Sequence, residues 1–210
     1  MIIGINGRIG AGKDTVGTII QELLLTNKNQ SFEIKKFAGK LKQIASILTG
    51  IPVEKFEDQE FKKTLLKLEW GTVQNIPLNS IPPFADMQFN VMMSVREFLQ
   101  KLGTEAMREG LHANVWVNAL FADYRLWSDG SKDWYPNWII TDMRFPNEMK
   151  AIIEKNGITI RVTRPGTATE THPSEIALDN AEFDYEIIND GTMEELVKKV
   201  REILVNEELI

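Results

Sequence analysis

Gly7-Arg8-Ile9-Gly10-Ala11-Gly12-Lys13-Asp14-Thr15 is the stretch on which the fold turns. It fits the pattern G-x-x-x-x-G-K up to the lysine, and its context is that of a strand-to-helix turn. Before it, Ile2 to Asn6 is a short apolar run, the mark of a buried strand. After it, Val16, Ile19, Ile20, Leu23 and Leu24 recur at helical spacing. Glycines at such a turn let successive backbone N–H groups converge on phosphate oxygens. The helix N-terminus adds the positive end of its dipole, and Lys13 sets a full charge against the outer phosphates. Gly10, Ala11, Gly12, Lys13, Asp14 and Thr15 are therefore the candidate phosphate-site residues. A ligand-free glycine turn is the plainer reading, and the matching context on both sides makes it the poorer one. Asp14 stands where Ser or Thr usually follows the lysine, and the hydroxyl comes one residue later, at Thr15. Those two are the candidate holders of Mg²⁺.

Outward from the loop, strand and helix patterns alternate. Glu33 to Phe37 reads as a second strand and Ala38 to Leu48 as a helix closed by Gly50-Ile51-Pro52. Val53 to Met93 mixes a charged run with a Pro- and Asn-bearing stretch, Asn75 to Phe84, and reads as an insert at 53–93 within a single domain. Ser94 opens a helix with Glu97 three residues on, the capping-box spacing, and Val95, Phe98, Leu99 and Leu102 as its buried stripe. Further helices are predicted over Asn114 to Tyr124 and from Asn147 to Gly157, and further strands over Trp138 to Thr141, Ile158 to Val162 and Glu186 to Ile188. Thr192 and Glu195 cap a last helix with the stripe Met193, Leu196, Val197, Val200 and Leu204. Alternation of this kind implies an α/β fold, a parallel sheet covered by helices on both faces.

The bulk properties exclude several chemistries. The chain has no cysteine, which removes disulfides, thiolate metal sites and cysteine nucleophiles. Two histidines, His112 and His172, are too few for a histidine metal site. A net charge of -6 argues against a nucleic-acid polymer as the main partner. Met1 to Ile5 is too short for a signal peptide and no stretch approaches a membrane span, so a cytoplasmic chain is expected.

A GTPase would carry an Asn-Lys-x-Asp segment, which is absent. A small P-loop kinase asks for less: the loop, an acceptor pocket bearing arginines, and basic groups around the transferring phosphoryl. Arg96, Gln100 and Gly103 lie at i, i+4 and i+7, one face of the Ser94 helix, where Arg96 suits a monophosphate and Gln100 a base edge. An ordinary solvated face explains that pattern about equally well. Asp142 follows a buried strand at the carboxyl end, where open parallel sheets bind ligands, with Arg144 two residues on and Glu148 six. The plainer reading is a turn with Asn147 as helix cap. Arg164 begins a polar segment, 164–180, that reads as a lid-like flap, with His172 as an ordinary loop histidine. Tryptophans such as Trp116 are more often core than base-stacking. Asn189-Asp190-Gly191 is a turn whose backbone suits a nucleotide base.

Together these blocks resemble the bacteriophage-type deoxynucleoside monophosphate kinases. The resemblance rests on Gly7 to Thr15 with its Gly-Lys-Asp-Thr ending, and on Ser94-Val95-Arg96 with Gln100 and Leu102-Gly103-Thr104. Trp116-Val117, Asp142-x-Arg144 with Asn147-Glu148-Met149, Val162 to Gly166 with Thr171-His172, and Ile188 to Gly191 with Glu194-Glu195-Leu196 continue it in order along the chain. It implies a three-layer P-loop kinase fold and transfer of a phosphoryl group from ATP, with Mg²⁺, to a deoxynucleoside 5′-monophosphate. It also implies Lys13, Asp142, Arg144 and Arg164 as the catalytic surround. Asn189 and Gly191 would join the loop at the ATP site, and Arg96, Gln100, Thr104, Trp116 and Glu148 would line the acceptor site. Asp14 after the lysine belongs to the family pattern, and the insert matches it poorly. Family members are often homodimers; no dimer surface is legible in the sequence. The rival readings are a dephospho-coenzyme A or isoprenoid-precursor type of kinase, a non-catalytic ATP-binding regulatory module, and a polynucleotide 5′-kinase.

Overall fold

The computed structural model of the chain describes residues 1–75, 88–166 and 176–210. Five strands build one parallel sheet: β1 (Ile2–Asn6), β2 (Glu33–Lys35), and, after two short two-stranded ribbons made of β3 (Thr72–Asn75) with β4 (Gln88–Val91) and β5 (Trp127–Ser128) with β6 (Asp133–Trp134), β7 (Trp138–Ile140), β8 (Ile158–Thr163) and β9 (Tyr185–Ile188). The order is β2-β7-β1-β8-β9, with Ile3 opposite both Ile139 of β7 and Ile158 of β8. β1 connects outward to the edge strand β2 on one side, whereas β7 connects across β1 to β8 on the other, so the sheet reverses its winding between β1 and β7. Beyond the carboxyl ends of such a pair lies the crevice in which α/β sheets hold ligands.

Side-chain alternation along the strands sorts two apolar layers. Ile3 and Ile5 of β1 pack with Val16, Ile20 and Leu24 of helix α1 (Lys13–Lys28) and with Leu196, Val200 and Leu204 of the last helix, Met193–Asn206. On the other face Ile2, Trp138 and Ile140 meet Val117 and Leu120 of the helix Val115–Phe121, and Met149 and Ile152 of the helix Pro146–Ile153. In chain order the helices are α1, α2 (Phe37–Thr49), α3 (Val95–Gln100), α4 (Val115–Phe121), α5 (Pro146–Ile153) and α6 (Met193–Asn206). The α/β reading therefore holds, with helices on both faces of a parallel sheet.

The chain divides into two compact units, Met1–Lys40 with Trp116–Ile210, and Leu41–Val115. The second is wider than the insert read at 53–93. It has a core of its own, in which Ala45, Phe56, Leu66, Val95 and Phe98 are buried and Trp70 meets Phe98 edge-on at 5.2 Å. Much of the stretch from 53 to 70 is short 3₁₀ turns. The Pro- and Asn-bearing stretch of the insert falls mostly outside the described residues, as do Thr171 and His172. Among the described residues no helix is long and apolar enough to cross a membrane.

Several element ends differ from expectation. Phe37 opens α2 instead of ending β2, and α5 begins at Pro146, so Asn147 is inside the helix and not its cap. Met193 is 57% exposed and leaves the buried stripe of α6. The Ser94 helix is α-helical only to Gln100. From Lys101 to Glu109 it widens to i→i−5 bonding, and Gly110 and His112 donate to Glu105 and Met107 in the same manner.

Candidate active site

The phosphate loop links β1 to α1 at the sheet's switch point. At its end Gly12 has φ 101°, a left-handed conformation open to glycine at little cost. A Cβ there would also lie 2.6 Å from Asn189 Nδ2, which donates to the carbonyl of Ala11 at 2.9 Å. The loop is thus braced from the end of β9. The sequence reading gives the backbone of this turn to a nucleotide base, and the Asn189 side-chain amide holds the loop. Gly191 is needed for a different reason. Its missing side chain makes way for Glu195, whose carboxylate accepts from Thr192 N in the capping box of α6.

Lys13 Nζ folds back to donate to the carbonyls of Gly7 (2.6 Å) and Arg8 (2.9 Å). Its pKa is lowered to about 8, first by burial and then by the Arg144 guanidinium, against the opposing pull of Asp14 and Asp142; Lys36 lowers it further. Arg144, Asp14, Asp142 and Lys36 all stand within electrostatic reach of the loop lysine. Asp14 Oδ1 accepts from Thr141 Oγ1 at 2.6 Å and pairs with Lys36 Nζ at 3.1 Å. Desolvation raises the pKa of Asp14, but these two partners outweigh it and hold the carboxyl below its ordinary range. Neither Thr141 nor Lys36 stands out in the sequence. The legible signal is that each directly follows the carboxyl end of a strand.

Lys13 titration has opposite consequences for stability and for binding. An unfolded chain keeps an ordinary lysine, near pKa 10.4, so between about pH 8 and 10 it binds more protons than the folded one, and stability rises with pH. Affinity for an anionic nucleotide runs the other way, because the neutral amine no longer attracts phosphate. ATP binding by the parent protein is expected to weaken by up to about ten-fold per pH unit above 8. In Lys13→Met that slope disappears. Calorimetric titration at pH 7, 8 and 9 measures it, and an unchanged dissociation constant in the parent over that range would refute the assignment.

The turn after β7 places the next candidates. Both carboxylate oxygens of Asp142 accept backbone amides at the start of α2, Phe37 N at 2.8 Å and Ala38 N at 2.9 Å. The cap of α2 therefore comes from a residue 105 positions away, and this is why the helix starts one residue earlier than its own sequence suggests. Glu148 is 2% exposed and its Oε2 accepts from Arg144 N (2.8 Å) and Phe145 N (3.1 Å). It shapes the turn that presents Arg144. Trp116 is 5% exposed, at the start of α4. In the second unit Arg96, Gln100 and Thr104 are exposed along α3 and its widened continuation, and Arg96 Nη2 reaches Gln59 Oε1 at 3.4 Å. Gly103 is buried, and a Cβ there would lie 2.9 Å from Leu41 Cδ2, so it packs within the second unit. The wider helical turn faces it inward.

A cavity of about 290 Å³ opens beside the loop at the carboxyl ends of β1 and β8, lined by Asn6, Gly7, Arg8, Arg161, Arg164 and Asp179 among others. Of its lining residues, Ala11 of the loop and Arg164 are candidate site residues in the sequence, whereas Arg161 and Asp179 are not. Among the described residues no cluster of three His, Asp or Glu side chains could hold a metal ion by itself.

The family model for deoxynucleotide monophosphate kinase matches residues 59–200. That stretch begins after the phosphate loop, so the loop and the family match are separate observations. The deoxynucleoside-5′-monophosphate kinase of Escherichia phage T5 is 24% identical over 229 residues, covering 90% of this chain and 89% of that protein. The deoxynucleotide monophosphate kinase of Enterobacteria phage T4 is 34% identical over 112 residues, 53% of this chain and 45% of that one. A protein of Acanthamoeba polyphaga mimivirus, provisionally given the same name, is 28% identical and covers 95% of this chain, with 94% of its own length matched. With a family model matched over more than half its length, at residues that include the Asp142-x-Arg144 turn, the chain belongs to the deoxynucleotide monophosphate kinase family.

Proposed function

We propose that the chain transfers the γ-phosphoryl group of ATP to a deoxynucleoside 5′-monophosphate. The observation that carries this reading is the charge arrangement at the switch point. Lys13 sits at the N-terminus of α1 against the carbonyls of Gly7 and Arg8, its pKa lowered first by burial and then by the neighbouring Arg144 and Lys36. Asp14 and Asp142 offset part of that charge, and a phosphate at the helix N-terminus would offset more. Phosphoryl transfer asks chiefly for positioning and charge neutralisation, not for a covalent intermediate or a strong base.

Mg²⁺ suits the donor set present. Asp14 is kept ionised and Thr15 is exposed beside it, and this metal takes one or two protein oxygens and fills its remaining sites with phosphates and water. When bound, it neutralises charge on the outer phosphates. The chain's own residues do the rest. Lys13 exchanges the carbonyls of Gly7 and Arg8 for phosphate oxygens, and Arg144 and Arg164 share the charge of the group in transit. Asp142 acts as a positioning residue through α2. Arg96, Gln100 and Thr104 serve the acceptor, Arg96 at its phosphate and Gln100 at a base edge. Burial of Trp116 and Glu148 favours the scaffold over the ligand for both.

The test is the reaction itself. Purified protein with Mg-ATP and each deoxynucleoside monophosphate in turn is expected to form ADP and at least one diphosphate, with no product from Lys13→Ala. Tight ATP binding with no transfer to any of the four acceptors would sink the reading.

A further inference from the structure

The phosphate loop carries a second basic residue to which the reaction above gives no role. Arg8 Nη2 donates to Asp179 Oδ2 at 3.0 Å, across 171 positions of chain. The backbone around Asp179 is fixed by other means. Arg161 of β8 donates to the carbonyls of Leu178, Asp179 and Ala181, pairs with Glu186 and lies over the Phe183 ring at 4.3 Å from its centroid. Leu178 itself is buried in the core. The limb 178–183 is thus fastened to the sheet whether or not Arg8 engages it.

Arg8 has no comparable anchorage. Its side chain is about a third exposed, and the only bond the structure gives it among the described residues is the one to Asp179. Breaking the pair would therefore leave the backbone that carries Asp179 in place. Both side chains line the cavity beside the loop, together with Arg164. A guanidinium on a phosphate loop, held by one carboxylate, is matched to exchange that carboxylate for a phosphate, a stronger and doubly charged acceptor of the same fork geometry.

We propose that Arg8 is a second cation for the outer phosphate of the donor nucleotide, and that Asp179 is the anion with which this phosphate competes. The proposal rests on the reading of the loop as the ATP site. Asp179 then has a cost as well as a use. It parks Arg8 in a defined rotamer, and after the exchange it remains as a like charge facing the phosphate. The pair sets the affinity for ATP below what the loop alone would reach, and it does so selectively for the outer phosphate.

The two partners therefore have opposite signs in one measurement. ATP and ADP are titrated calorimetrically into the full chain and into Arg8→Ala, Arg8→Lys and Asp179→Asn, with the melting temperature recorded for each. Arg8→Ala is expected to weaken ATP about ten-fold, the scale of one lost charged hydrogen bond, and ADP much less. Arg8→Lys restores part of the loss, and Asp179→Asn tightens ATP severalfold. A merely structural clasp predicts something else: both Arg8→Ala and Asp179→Asn lower the melting temperature and weaken ATP alike. Failure of Asp179→Asn to tighten ATP, or equal effects on ATP and ADP, overturns the proposal. An effect confined to binding of the deoxynucleoside monophosphate overturns it too, since the phosphate then belongs to the acceptor. Absence of diphosphate formation by the parent protein would sink the kinase reading, while these titrations still decide the role of Arg8. A parent protein that binds no ATP would overturn both.

Discussion

Lys13→Ala is expected to lower turnover by about a hundred- to a thousand-fold, the usual consequence of removing one preorganised charge from the site of developing negative charge. The fold should survive it. Lys13 Nζ bonds only to loop carbonyls in the described structure, and its pKa of about 8 marks a cation that its surroundings resist. Folded stability should therefore stay close to the parent's or rise slightly, because a group that burial penalises has been removed. Initial rates at saturating acceptor, set beside a thermal melt, decide the matter. A variant that retains turnover within a few-fold would place the transferring phosphoryl elsewhere. A variant that loses turnover together with its melting transition would make Lys13 a structural residue.

Glu148→Ala should have the largest effect on stability of the site substitutions. It leaves the amides of Arg144 and Phe145 without their carboxylate in a buried setting, at a cost of about 2–4 kcal/mol for the pair. Glu148→Gln keeps an acceptor oxygen and should recover part of that. The functional loss follows through Arg144, whose turn is no longer pinned, so it should appear in kcat. A direct substrate contact would instead raise KM and leave the melt unchanged. Denaturant unfolding and steady-state kinetics on the same two variants separate these outcomes, and an undisturbed melt would refute the buried-cap account.

Much of this architecture is legible in the residues because its signals are local. Ile2 to Asn6 followed by Gly7 to Thr15 announces a buried strand, a phosphate loop and a helix, and the capping boxes at Ser94 and Thr192 announce two more. The missed features depend on distant partners. Nothing around Phe37 reveals that Asp142 will cap α2. Nothing in Lys101 to Glu109 reveals that the helix will widen and turn Gly103 toward Leu41. Acidic residues near a turn are ambiguous in the same way. Asp142 and Glu148 both look like ligand contacts, and only the structure gives their carboxylates backbone amides to hold. Lys36 and Thr141 escape notice because their partner is Asp14, 127 positions from Thr141.

The brace from Asn189 to Ala11 spans 178 positions. It has a bearing on how the protein is made. On the ribosome, β1 and its loop emerge before the rest of the sheet, since the strands that flank β1 come from residues 138–140 and 158–163, and the loop's brace comes later still. Pairings so distant in sequence form slowly and late. A growing chain therefore carries its Gly-Lys-Asp-Thr segment without the surroundings that hold it in shape until the 178 positions between Ala11 and Asn189 have been made. Nucleotide binding is therefore expected to follow sheet assembly, and the β1 segment must avoid wrong partners until its neighbours arrive.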